Sequence, residues 1–396
     1  MNPAGLNPLG IGVVSWVEIR YRTDCFPHPD RGFAMLQSFI RWRERCLSQG
    51  DERFKTPHQM AIGGEFLGLS ENSLDGLTAF VQQQIEEGES YFRHPDNTSF
   101  DFDGANLSFD SPIITETPAN NRARCRVFES RRLGPALLVL PHWNSTAGGY
   151  DSLGKGFSAR GITTACLMLP YHGCRRSSDD PIAHGMVSAN LGLTIRSCRQ
   201  AVLEARLILD WLQQRGHGPI AVLGASLGTA LASIVAAFDQ RVRALALLSL
   251  APDFAEIVWT GTAAQHIRQS LESSMTCQQL SEAWSIISPI TYVPKLAARN
   301  IRVCAMAGKH DQVFQPMLAG RLIEAYRTYG IAHQIHWLPC GHYTLGEVPF
   351  NLVGFWRVLR FLKRELFASS SQSKSDGARA SVGGPAPADD PDSAAA

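Results

Sequence analysis

The sequence has no apolar run near the roughly 20 residues that a membrane-spanning helix needs. Its longest runs, such as Ala136 to Leu140 and Ala244 to Leu248, fall far short. It also lacks a charge of one sign: charged residues make up 18% and the formal net charge is +1. Binding to nucleic acid or another polyanion is therefore not expected. The nine cysteines (25, 46, 125, 166, 174, 198, 277, 304 and 340) are scattered, with no CxxC and no paired Cys/His ligand spacing. That excludes a disulfide framework and a zinc site, and no metal is expected. The beginning, Met1 to Pro8, lacks the basic start and apolar stretch of a secretory leader, so the expected address is cytoplasmic.

What is present is ordinary for a globular chain. With 396 residues, 44% of them hydrophobic, it has room for one large α/β domain with additions or two modest ones. From Ala136 to Phe367 short apolar runs alternate with segments of helical period, which argues for βαβ units around a parallel sheet. The expected strands are Ala136 to Leu140, Ile162 to Leu169, Ile220 to Leu223, Ala244 to Leu250, Ile301 to Ala307 and Gln334 to Leu338. Helices are expected over Leu191 to Gln214, Pro316 to Tyr329 and about Phe350 to Leu366, from apolar residues at three- to four-residue spacing. Ser99 to Phe109 and Arg122 to Ser130, separated by turn residues, read as antiparallel strands opening the sheet.

Three segments stand outside this alternation. Residues 1–97 carry two helical stretches, Phe33 to Leu47 and Leu74 to Phe92, and read as an N-terminal extension packing on a core domain of residues 98–368. Residues 253–290 are short helical pieces where one connecting helix would suffice, a candidate lid. From Ser369 to Ala396 the chain turns to Ser, Ala, Pro, Gly and Asp and reads as a disordered tail.

Gly224-Ala225-Ser226-Leu227-Gly228 lies between an apolar strand and an Ala-rich helix, the context that gives G-x-S-x-G chemical meaning. A serine on so sharp a turn is held above the sheet at a helix start, where free N–H groups favour negative charge. A serine needs a base, and the base an orienting acid. Asp311 follows the strand Ile301 to Ala307, with Asp253 as the rival acid, and His342 follows the strand after it. All three loops leave carboxyl ends of sheet strands, where sites of open α/β sheets gather. For an oxyanion hole the expected donors are the N–H of Leu227 and the N–H of Trp143, in the loop Pro141-His142-Trp143-Asn144, with Asn144 as an alternative. The side chains of His142 and Asn144 are candidates for binding substrate, or else only shape the loop. Arg175 and Arg176, after the strand ending at Leu169, suit a substrate carboxylate or phosphate, or else pair with Asp179 and Asp180.

With these motifs in place, Ala136 to Leu366 resembles the α/β-hydrolase superfamily. Pro170-Tyr171-His172-Gly173-Cys174-Arg175-Arg176 and the elbow resemble the group around α/β-hydrolase domain-containing protein 18 and its bacterial relatives. The resemblance implies an eight-stranded, mostly parallel sheet, a Ser-His-Asp mechanism without cofactor, and a lid over the site. It does not imply a substrate; the three residues are expected to serve a serine hydrolase cleaving a carboxylic ester, and the resemblance to the narrower group implies a lipid or other acyl ester as the small-molecule partner. An acyltransferase or a cofactor-free perhydrolase would use the same three residues, and a binding protein on this fold would more often lack one of them.

Overall fold

The computed structural model describes residues 31–52 and 55–367; the tail expected from Ser369 lies outside them. The chain divides into two compact units, residues 1–39 and 40–396. Of the first, the described part is the opening of helix α1 (Arg31–Glu52). Among the described residues no helix is long and apolar enough to cross a membrane.

In the second unit a nine-stranded sheet forms from β1 (Asp101–Phe102), β2 (Asn106–Asp110), β3 (Arg122–Phe128), β4 (Ala136–Leu140), β5 (Thr163–Met168), β6 (Ile220–Ala225), β7 (Val242–Leu248), β8 (Arg302–Gly308) and β9 (His333–Leu338). Their order is β1-β2-β3-β5-β4-β6-β7-β8-β9. The first three and the β3–β5 pair are antiparallel, and every other pair is parallel. The count exceeds eight because Asp101 and Phe102 hairpin back onto β2 as a short edge strand. Burial follows the pairing. β4 and β6 are buried at every residue, as parallel strands covered on both faces must be, whereas β3 alternates, burying Ala123, Cys125 and Val127.

Helices α2 (Leu74–Glu87), α3 (Asp151–Ser158), α4 (Leu191–Gln214), α5 (Leu227–Phe238), α6 (Phe254–Thr260), α7 (Gln265–Leu271), α8 (Cys277–Ala283), α9 (Val293–Ala298), α10 (Pro316–Thr328) and α11 (Phe350–Phe367) complete the unit. Caps fix where several begin. Asn190 accepts from the Leu193 N–H at the start of α4, and Ser73 from the Gly76 N–H at the start of α2. The helix expected to reach Phe92 ends at Glu87 because Gly88, at φ 51°, turns the chain. Leu77 and Val81 of α2 share one core with α4, α5 and the sheet. The segment between β7 and β8 is α6, α7, α8 and α9 with short 3₁₀ turns. Asp253 caps α6 through the Ala255 and Glu256 N–H groups, whereas the carboxylate beside His342 is that of Asp311.

Arg175 corrects another expectation. It is fully buried, not a surface clamp, and pairs with neither Asp179 nor Asp180. Its guanidinium donates to both Glu204 oxygens at 2.6 and 2.7 Å, and to the carbonyls of Met168 and Asn120. Ser111 and Gln200 also donate to Glu204, so the carboxylate is satisfied where water is excluded. The pair ties the loop after β5 to the middle of α4. Removing one partner of such a pair strands the other charge. Arg175→Met should therefore lower the unfolding free energy by about 3–5 kcal/mol, while the same change at exposed Arg131 stays within about 0.5 kcal/mol. Urea denaturation followed by circular dichroism compares the two.

Candidate active site

The strand-to-helix turn between β6 and α5 is shaped by two glycines. A Cβ on Gly224 would lie 2.3 Å from the Gly228 carbonyl oxygen, and one on Gly228 would lie 2.0 Å from that of Leu140. So tight an approach leaves Ser226 at φ 52°, ψ −119°, a strained conformation for a residue with a side chain. Its Oγ stands 2.9 Å from His342 Nε2. His342 Nδ1 is 3.0 Å from Asp311 Oδ2. Leu227 opens α5, so its N–H is among the first of the helix, which have no intrahelical acceptor.

Asp311 is held from both sides. Its Oδ1 accepts the N–H groups of Val313 and Phe314, and its Oδ2 also accepts the Ser249 hydroxyl at 3.1 Å. That contact depends on β7 ending at Leu248, two residues earlier than the apolar run suggests. Ser249 then turns the chain at φ 60°. The His342 imidazole stacks on the Phe314 ring, with centroids 5.2 Å apart. Withdrawal from water pushes its pKa down, but the charge and hydrogen bond of Asp311, with Glu44 and Asp51 beyond, outweigh this and hold it above the ordinary histidine value.

The loop after β4 is fixed by a histidine that sequence reasoning passed over in favour of the arginines beside it. His172 is buried and its pKa is pushed down to about 4, mainly by desolvation, so it is neutral. Its Nδ1–H donates to the Pro170 carbonyl at 2.8 Å, leaving Nε2 to accept the Asn144 N–H at 2.9 Å. This engages the Asn144 amide, the alternative oxyanion donor, with the loop after β5, and the Asn144 Oδ1 accepts the Ala183 N–H. The Trp143 indole donates to the Ala183 carbonyl and lies parallel to the His266 ring. The Tyr150 hydroxyl sits 2.7 Å from His142 Nδ1.

A pocket of about 80 Å³ adjoins Ser226 and Leu227, with His142, Trp143 and Asn144 on one wall. Val187, Phe254, Ile257, Val258, Val313 and Phe314 make the remainder largely apolar. Neither Arg175 nor Arg176 lines it; Arg176 is half-buried on the loop after β5. A larger groove of about 950 Å³ lies over β1, β2, β3 and β5 and has none of Ser226, Asp311 and His342 on its walls.

The N-terminal helix also reaches this site, which no local pattern in its sequence announced. Glu44 accepts hydrogen bonds from the Tyr343 and Thr344 amides, and Asp51 accepts the Tyr343 hydroxyl. Lys55 pairs with Asp51 and donates to the Ala263 carbonyl on the pocket's rim. The one hint in the sequence was Gly341, which leaves room for the glutamate.

An open sheet in this order, with a glycine-framed serine elbow after β6 and loops carrying Asp311 and His342 after β8 and β9, is the α/β-hydrolase fold. Residues 152–314 match the model of the family described as alpha/beta hydrolase domain containing 18. Among solved structures, the acylaminoacyl peptidase of Pyrococcus horikoshii is similar at a TM-score of 0.51 and 10% identity, over 68% of this chain and 42% of that one. A puromycin-hydrolyzing peptidase of Mycobacterium tuberculosis is similar at a TM-score of 0.50 and 13% identity, over 67% and 47%. The chain thus spans less than half the length of either, and the likeness is one of fold. No curated protein matches the chain.

The charge of Asp311 favours the protonated imidazole, so a nuclear magnetic resonance titration of His342 should give a pKa above the ordinary value of about 6.5. Asp311→Asn should bring it down. An equal titration in both proteins would contradict the electrostatic account.

Proposed function

We propose that the chain is a serine hydrolase that cleaves a carboxylic ester through an acyl-enzyme on Ser226. The observation that carries this reading is the relay of 2.9 Å from Ser226 Oγ to His342 Nε2 and 3.0 Å from His342 Nδ1 to Asp311. In the first step His342 Nε2 takes the hydroxyl proton as Oγ attacks the ester carbonyl, and Asp311 holds the imidazole in the tautomer that presents Nε2. The oxyanion is met by the Leu227 and Trp143 N–H groups. As the carbonyl re-forms, the C–O bond to the alcohol breaks and His342 returns the proton to the leaving oxygen. Water then repeats the sequence on the acyl-enzyme, with His342 again the base, releasing the acid and restoring Ser226. No cofactor enters the scheme.

The apolar pocket supports an acyl group, from a lipid or a smaller ester, as the part of the substrate held beside Ser226. Ile257 and Val258 sit on α6, so the segment 253–290 acts as the lid of this reading.

Ser226→Ala should lower turnover of an activated ester by several orders of magnitude, since the three residues act as a unit, while leaving the circular dichroism spectrum intact. A fluorophosphonate probe should label the wild type and not this variant; labelling that survives the substitution would sink the proposal. Esters of graded acyl length report on the pocket. Ile257→Ala should move the preferred chain length upwards by one or more carbons, and an unchanged profile would place the acyl group elsewhere.

A further inference from the structure

We infer that Glu44, on the N-terminal helix, is a positioning residue for His342, setting the orientation and charge preference of the base in the reaction proposed above. His342 lies in the middle of a short loop after β9, and such a loop has no sheet ladder to hold it. Glu44 supplies the missing partners on both sides. Its Oε1 accepts the Tyr343 N–H at 3.0 Å, and its Oε2 accepts the Thr344 N–H at 3.0 Å and the Thr344 hydroxyl at 2.9 Å. The same hydroxyl accepts the Gly341 N–H at 2.8 Å, so the residues before and after His342 converge on one carboxylate.

The fit is close. Glu44 is 2% exposed, and a Cβ on Gly341 would fall 2.2 Å from its carboxyl carbon. A flexible side chain could swing away from such a Cβ, but this one is pinned by three hydrogen bonds. Glycine at 341 is therefore explained by the glutamate rather than by backbone conformation. The groups facing His342 are Asp311, Glu44, Asp51, His142 and the Phe314 ring. Glu44 thus acts in two ways: it orients the loop, and it adds to the field that favours the imidazolium formed when Ser226 gives up its proton. It is not among the residues that line the pocket beside Ser226.

Replacing it should have a signature that a purely structural residue would lack. Glu44→Gln keeps the volume but turns an amide NH₂ towards backbone donors and removes the charge. It should lower kcat by about 10- to 100-fold, the scale of a base displaced by about an ångström, with KM little changed. The acid limb of the kcat/KM profile and the His342 titration measured by nuclear magnetic resonance should both move to lower pH. Glu44→Asp should keep the titration near the wild type while recovering only part of the rate. Gly341→Ala should be severe in the wild type yet add little to Glu44→Ala, because the collision partner is gone. Should Glu44→Ala not fold, Thr344→Val removes the bridging hydroxyl, and Thr344→Ser restores it with the rate. Unchanged kcat, labelling rate and His342 titration in Glu44→Gln, even with a lowered melting temperature, would overturn the inference. If the wild type neither labels nor turns over esters, the hydrolase reading fails by itself, and the titration still decides the claim about Glu44.

Discussion

The close approach of the start of α5 to the ends of β4 and β6 is the constraint on which the rest depends. Only hydrogen fits at Gly228 beside the Leu140 carbonyl, and only hydrogen fits at Gly224 beside Gly228. Between them the chain turns so sharply that Ser226 is forced to positive φ. That strain is offset by the core beneath, because every residue of α5 is buried. The elbow therefore sits at a fixed height above the sheet, and the loops after β8 and β9 approach it from strands paired in parallel, β8 on β7 and β9 on β8.

Much of this was legible in the sequence for a simple reason. Parallel strands buried on both faces read as continuous apolar runs, and β4 was legible to the residue. Helix α4 was equally plain, since its apolar spacing runs its full length. The serine, aspartate and histidine were found because each follows such a run at the same sheet edge, and the structure brings the three side chains into hydrogen-bonding distance.

What escaped were contacts that no periodicity encodes. Two arginines in a loop look like surface charge, yet Arg175 is interior because Glu204, on a helix otherwise facing the core, waits for it. His172 looked incidental just before them, although its lone pair fixes the Asn144 amide and with it the path of the loop after β4. Glu44 stood in a helix that reads as an appendage. Each of these is a polar group satisfied by a partner far away in the chain, and a linear pattern carries no trace of a three-dimensional debt between distant groups.

The separation between Glu44 and Thr344 is 300 residues, so this bracket closes nearly the whole length of the folded chain upon itself. Closing so long a loop costs only slightly more entropy than closing a moderate one, but it cannot happen until the last strand exists. A chain that leaves the ribosome from its amino end has made the glutamate long before the loop that it grips. The cluster is thus completed last: a nascent chain halted before β9 carries Ser226 and Asp311 but not His342, so the three side chains meet only once the loop after β9 has been made.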